Sequence, residues 1–223
     1  MQLDWQPLWL TFKLAAITTF LLLLLGIPLA WWLANSRSRL KPVAEAIISL
    51  PIVLPPSVLG FYLLLAFSPT GFPGRIFNEY FNLPLVFSFT GLVVGSIIYS
   101  LPFMVQPLQA GLESLPSSLT EASYTLGRTK IETLFRVLLP NIRPALLTGI
   151  VLAFAHTIGE FGLVLMIGGN IPGETQVVSI AIYHEVESLN YQSAHVYSLV
   201  LLLLSFLILL SVYLINKRLV KTF

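Results

Sequence analysis

Val196-Tyr-Ser-Leu-Val-Leu-Leu-Leu-Leu-Ser-Phe-Leu-Ile-Leu-Leu-Ser-Val-Tyr-Leu-Ile215 carries no charge over 20 residues. As a helix this run is about 30 Å long, the thickness of a bilayer's hydrocarbon core. Working outward, four more apolar runs of spanning length appear: Leu14 to Ala34, about Val43 to Phe67, about Leu85 to Leu108, and Pro144 to Gly168. They predict an all-α fold, a polytopic transmembrane helical bundle of five spans. A sixth span requires Thr175 to Val186 to insert. That stretch is short and has His184, Glu185 and Glu187 at its end, so it reads as an external or half-inserted helix. Composition agrees: 56% of the 223 residues are hydrophobic and 10% charged, against roughly 25% charged in a soluble domain. The chain has no cysteine, which excludes disulfides and thiolate chemistry. The first run lacks the basic start and short core of a cleaved signal and reads as a true span.

Orientation follows from the basic residues. With the amino terminus outside, five spans leave Asn35–Pro42, Glu113–Arg143 and the tail after Asn216 in the cytoplasm. Those segments hold Arg37, Arg39, Lys41, Arg128, Lys130, Arg136, Arg143, Lys217, Arg218 and Lys221, ten of the 12 basic residues. Only Lys13 and Arg75 fall on the other side. The expected topology is multi-pass, amino end outside and carboxyl end in the cytoplasm.

The longest cytoplasmic segment, residues 113–140, reads as two short helices. Ser117 or Ser118 caps the first, with Glu121 at capping-box spacing from Ser118. Gly127 ends it. Thr129 caps the second, with Glu132 three residues on, and Pro140 closes the unit. Leu119, Ala122 and Leu126 line one face of the first helix, and Ile131, Leu134, Phe135 and Leu138 one face of the second. Such a hairpin suits docking against a partner.

The pattern Glu121-Ala122-Ser123, then Gly127, then Leu139-Pro140 resembles the EAA coupling loop of ABC importer permeases, with Ser123 in place of the second alanine. The resemblance implies that the hairpin fits a groove on a separate ATP-binding subunit. A narrower resemblance covers nearly the whole chain. Leu50-Pro-Ile-Val-Leu-Pro-Pro-Ser-Val-Leu-Gly60, Gly159-Glu-Phe-Gly162 and Gly169-Asn-Ile-Pro-Gly-Glu-Thr175 resemble the molybdate permeases of that class. It implies a single permease domain over residues 1–223 in a bacterial inner membrane, importing a tetrahedral oxyanion by alternating access. Molybdate is expected, with sulfate, thiosulfate and tungstate as alternatives. Partners implied are the ATPase and a periplasmic or lipoprotein oxyanion-binding protein. No phosphate loop G-x-x-x-x-G-K-[ST] is present, and no glycine precedes a lysine. ATP hydrolysis therefore belongs to another chain, and this one is not expected to be an enzyme, to hold a cofactor or metal, or to bind nucleic acid. One five-helix subunit encloses a poor pathway, so a two-fold homodimer embedded in lipid is the simplest closed assembly.

Several residues stand out for the path. Pro55 and Pro56 interrupt the second span, either to shape a gate or simply to start a helix. His156 and Glu160, four apart, are the ionisable residues well inside an apolar span; together on one face they can pair. A carboxylate repels an oxyanion, which favours a structural role for Glu160 over a gating one. Gly169 and Asn170 open a dense turn on the external face. Gly26, Gly91, Gly95 and Gly149 suit close helix packing. A membrane enzyme would need a catalytic constellation, and a secondary transporter an internal repeat; the sequence shows neither.

Overall fold

A computed structural model describes residues 4–220, and its regular structure is helical throughout. In order these are α1 (Gln6–Asn35), α2 (Lys41–Val53), α3 (Pro56–Phe67), α4 (Phe72–Phe81), α5 (Phe89–Glu113), α6 (Ser117–Thr125), α7 (Lys130–Thr133), a π-helical turn over Leu134–Leu138, α8 (Leu139–Asn141), α9 (Arg143–Ile158), α10 (Gly162–Gly168), α11 (Val178–Glu187) and α12 (Tyr191–Val220). Lys221, counted above in the tail, lies outside the described residues.

Among the described residues, three helices are long and apolar enough to cross a membrane: α1, α5 and the part of α12 up to Ser211. The second predicted span is broken. Pro56 forces the residue before it into extended backbone, and Pro55 sits at φ −54° and ψ 137°. The helix cannot continue through it, so α2 and α3 meet at 113°. The fourth run is also interrupted: α9 stops at Ile158 and α10 starts at Gly162. Together with the preceding segment Lys130–Asn141, α9 forms a second bent pair at 83°. The bundle thus has three spans, or up to five if each bent pair counts as one. The candidate sixth, α11, has 10 residues and reaches about 15 Å, half the thickness required.

Helices α1, α5 and α9 pack mutually, α3 lies on α10, and α11 lies on α12. One apolar cluster joins Leu33, Met104, Leu108, Leu112, Leu138 and Ile142. A second joins Leu14, Leu85, Leu92, Leu163, Ile167 and Ile180. The centre of the first is Met104, fully buried between two glycines. A Cβ at Gly26 would lie 2.7 Å from its Cγ, and one at Gly149 would lie 3.2 Å from its carbonyl oxygen. Small residues here let three backbones close on one side chain, which is how helices associate where lipid removes the hydrophobic driving force.

The outer surface suits a bilayer. On α1, Trp9 and Trp32 are exposed and about 35 Å apart along the axis, the separation of two interfacial aromatic belts. Helix α12 presents Leu199, Leu202, Leu203, Phe206 and Leu210 outward.

Candidate functional site: the hairpin and the helix break

The hairpin begins without the predicted capping box. Pro116 occupies the cap position in extended backbone, and no side chain caps α6. The ring of Pro116 fixes the entry angle itself, so the Ser118–Glu121 box does not form. The end of α6 follows expectation. Gly127 has φ +77°; its amide donates to the Tyr124 carbonyl at 2.9 Å, and that of Arg128 to the Ser123 carbonyl at 3.2 Å. These bonds satisfy carbonyls that the last turn leaves open. The second capping box is complete. The Thr129 amide donates to Glu132 Oε2 at 2.9 Å, and the Glu132 amide to Thr129 Oγ1 at 3.3 Å. The bonds from the Thr129 amide, then from its hydroxyl, hold the Glu132 carboxyl below the ordinary carboxylate range. A depressed value gives stability that is present at neutral pH and lost as pH falls through the folded value. The protection of amides 129–133, measured relative to the intrinsic exchange rate at each pH, should therefore fall on acidification, and Glu132→Gln should flatten that dependence.

Ser123 ties the two arms. Its hydroxyl lies 2.8 Å from that of Thr133, and both are buried. Thr133 already donates to the Thr129 carbonyl at 2.9 Å, so Ser123 is the donor. Ser123→Ala removes that bond yet leaves Thr133 its own acceptor. The expected cost is about 1 kcal/mol, read as a small drop in thermal stability with insertion intact.

Leu139 and Pro140 follow the π turn. Pro140 has no N–H for the carbonyl four residues back, and its ring crowds that oxygen. The turn before it relieves the crowding: the Leu139 amide bonds five residues back, to Leu134. Leu134 and Leu138 face the bundle and are buried. The predicted partners on their face, Ile131 and Phe135, are 66% and 57% exposed, and Leu126 on α6 is 78% exposed. Ala122 and Glu121 are exposed as well. The hairpin is thus pinned on one side and carries uncovered apolar groups on the other.

The second constellation lies at the break between α9 and α10. His156 and Glu160 do not pair. Gly159 ends α9, so Glu160 leaves the helical register and each residue takes its own serine on α5. Ser96 donates to Glu160 Oε2 at 2.8 Å, and Ser100 lies 2.9 Å from His156 Nδ1. The Ser179 hydroxyl of α11 donates to the Glu160 carbonyl at 2.6 Å. The His156 ring stacks on Phe103, centroids 4.0 Å apart, and lies 4.6 Å from that of Tyr99. Glu160 Oε1 is buried with no partner. A cavity of about 480 Å³ opens here, lined by Pro56, Ser57, Tyr99, His156, Glu160 and Phe161 among others. The break after Pro55 thus comes together with the break at Glu160, while Gly169 and Asn170 lie elsewhere. Gly169 has φ +64° and follows α10, in a loop organised by buried Thr175, whose hydroxyl donates to the Gly168 carbonyl at 2.7 Å. Among the described residues no three His, Asp or Glu side chains gather as a metal site would require.

Two features escaped sequence reading: Ser96 and Ser100 as partners of the buried pair, and α4, whose Phe72, Ile76, Phe77, Tyr80 and Phe81 fall at helical spacing. For the serines, the available signal was their spacing of four on α5, which matches that of His156 and Glu160.

The chain matches the family described as binding-protein-dependent transport system inner membrane component over residues 26–221, and it belongs to that family. It is a membrane-spanning permease subunit of an importer, in the inner membrane, with ATP hydrolysis on a separate subunit. Among named relatives, the molybdenum transport system permease protein ModB of Azotobacter vinelandii is 48% identical over 211 residues, 94% of this chain and 93% of that one. The Escherichia coli K12 protein of the same name is 34% identical over 83% of this chain and 81% of its own. The sulfate transport system permease protein CysT of Salmonella typhimurium is 34% identical over 86% of this chain and 69% of its own. The fold is that of solved ABC importers. An alginate importer gives a TM-score of 0.78 at 16% identity, over 96% of this chain and 78% of that one. The inward-facing MetNI methionine transporter gives 0.74 at 18% identity, over 97% and 95%.

Proposed function

We propose that this permease carries molybdate, and that its hairpin 113–140 couples the path to the ATPase. The substrate reading is supported by the similarity to molybdenum permeases over nearly the full length of both chains. The observation that carries the coupling reading is the uncovered set Leu126, Ile131 and Phe135 on a hairpin fixed by Gly127 and Thr129. Exposed apolar groups on a rigid polar unit mark a protein contact. In this reading the hairpin faces the cytoplasm, the amino end lies outside, and two copies enclose the path. The cavity at Pro56, Tyr99 and His156 opens toward it, with Pro55 and Pro56 as the hinge. An oxyanion-binding protein delivers substrate on the other side, where Gly169 and Asn170 shape the mouth. Closure of the ATPase pair on ATP moves the docked hairpins and so the bundle, a coupling of two sites through one two-state element.

The reading is tested by co-purification. Phe135→Arg places a charge on the exposed stripe and leaves buried Leu134 and Leu138 untouched. It should insert normally and retain less than about a tenth of the ATPase, the loss of one interface anchor worth about 2 kcal/mol. ATPase recovery equal to wild type would remove the hairpin as the docking surface.

A further inference from the structure

The end of α1 and the hairpin meet in a second pocket, of about 260 Å³, lined by Trp31, Trp32, Asn35, Ser36, Tyr124 and Lys130. It joins residues nearly a hundred positions apart in sequence, two from an indole pair at the end of a span and two from the hairpin. We propose that it holds the phosphate headgroup of an anionic phospholipid from the cytoplasmic leaflet, which anchors the hairpin to the bilayer.

The chemistry of the lining points to that ligand. Lys130 forms no ion pair among the described residues and supplies a free ammonium. The Asn35 amide nitrogen donates to the Trp31 carbonyl at 2.9 Å, which fixes the side chain and leaves its oxygen for a glycerol hydroxyl. Tyr124 adds a half-exposed phenol and Trp32 an exposed indole, the residues that settle at the headgroup level of a membrane. Arg37, Arg39 and Arg128, close to the lining in sequence, likewise carry no ion pair among the described residues; on the far side of Asn35 an adjoining pocket is lined by Glu121 and by Glu113, which Lys41 pairs. The nearest carboxylate in sequence, Glu132, is occupied by the Thr129 amide and hydroxyl. A pocket beside the end of a span, with one unpaired lysine and aromatic walls, suits an anionic headgroup. The bound lipid would bridge Lys130 to the end of α1 and hold the hairpin against the membrane while Leu126 and Phe135 face the ATPase.

The inference rests on the hairpin being cytoplasmic, and its test is read separately from transport. The full-length chain, purified with its ATPase from vesicles of equal phosphatidylglycerol and phosphatidylcholine, is analysed for retained lipid by mass spectrometry. Phosphatidylglycerol should be enriched, and Lys130→Glu should reduce its retention by about five-fold, the loss expected for one basic residue at an anionic surface. Lys130→Arg should restore it. An acidic residue is favoured in the first turn of a helix, so Lys130→Glu keeps the hairpin folded, and unchanged ATPase recovery verifies this. Equal retention of the two lipids, retention indifferent to Lys130→Glu, or displacement of the lipid by inorganic phosphate would each overturn the proposal. None of these outcomes bears on whether the chain is a permease.

Discussion

Gly127→Val should cut transport by more than about ten-fold while the protein still inserts and the bundle still forms. Nothing lies within 4 Å of a Cβ added at Gly127, so the effect cannot come from a clash with a neighbour. It comes from the backbone. At φ +77° an ordinary L-residue costs about 1–2 kcal/mol, and a β-branched one more. That penalty falls on the turn that sets the angle between α6 and α7. The two bonds to the Tyr124 and Ser123 carbonyls require that turn, and the Thr129 box follows it directly. A graded series separates conformation from size. Gly127→Asn, which puts a residue tolerated in left-handed backbone at this position, should transport close to wild type. Gly127→Ala should transport less, and Gly127→Val should fall by more than about ten-fold, the factor that about 1.4 kcal/mol supplies. Amide exchange across 121–133 should rise in the same order. An asparagine variant as defective as the valine variant would mean that the glycine's smallness at an interface, rather than its conformation, is what matters.

The second large effect concerns Met104. Met104→Ala opens a cavity where α1, α5 and α9 converge, and should cost about 2 kcal/mol or more. Gly26→Ala alone should also destabilise, since its methyl would lie 2.7 Å from the Met104 Cγ in a core that resists overpacking. Combined, the two changes should partly cancel. The truncated side chain no longer reaches the new methyl, and the methyl fills part of the void. The double variant should melt above the sum of the single losses, which a thermal-stability cycle in detergent or nanodiscs measures. Additive losses would show that Gly26 and Met104 do not share one packing site.

Some of this was legible in the sequence because it is local. Thr129, Glu132 and Gly127 act within four residues of their own positions, and the structure places each in its expected role. Pro56 likewise starts a helix, as one of its two readings expected, and the span is bent there. What was not legible depends on where helices stop and what faces them. The spacing of His156 and Glu160 implies a shared face only if the helix runs through Gly159, and it does not. Each then bonds to a serine on α5, whose matching spacing of four was the one sequence signal for the pairing. On the hairpin, the four apolar positions of the second helix are two adjacent stripes. Leu134 and Leu138 pack on the bundle, and Ile131 and Phe135 are left uncovered. Periodicity finds such a face but cannot divide it between the protein's own core and a partner. The capping box at Ser118 fails because Pro116 takes the cap position two residues earlier. Helix α4 was passed over because Gly71 just before it and Pro73 and Gly74 in its first turn read as a loop, although Phe72, Ile76, Phe77, Tyr80 and Phe81 fall at helical spacing.

The most direct test of the central claim is accumulation of molybdenum at nanomolar molybdate, in cells with and without this gene, repeated under excess sulfate. A molybdate permease predicts that deletion abolishes high-affinity uptake and that sulfate does not compete. Unchanged molybdenum in the deletion strain, with sulfate or tungstate uptake lost instead, would contradict the molybdate assignment.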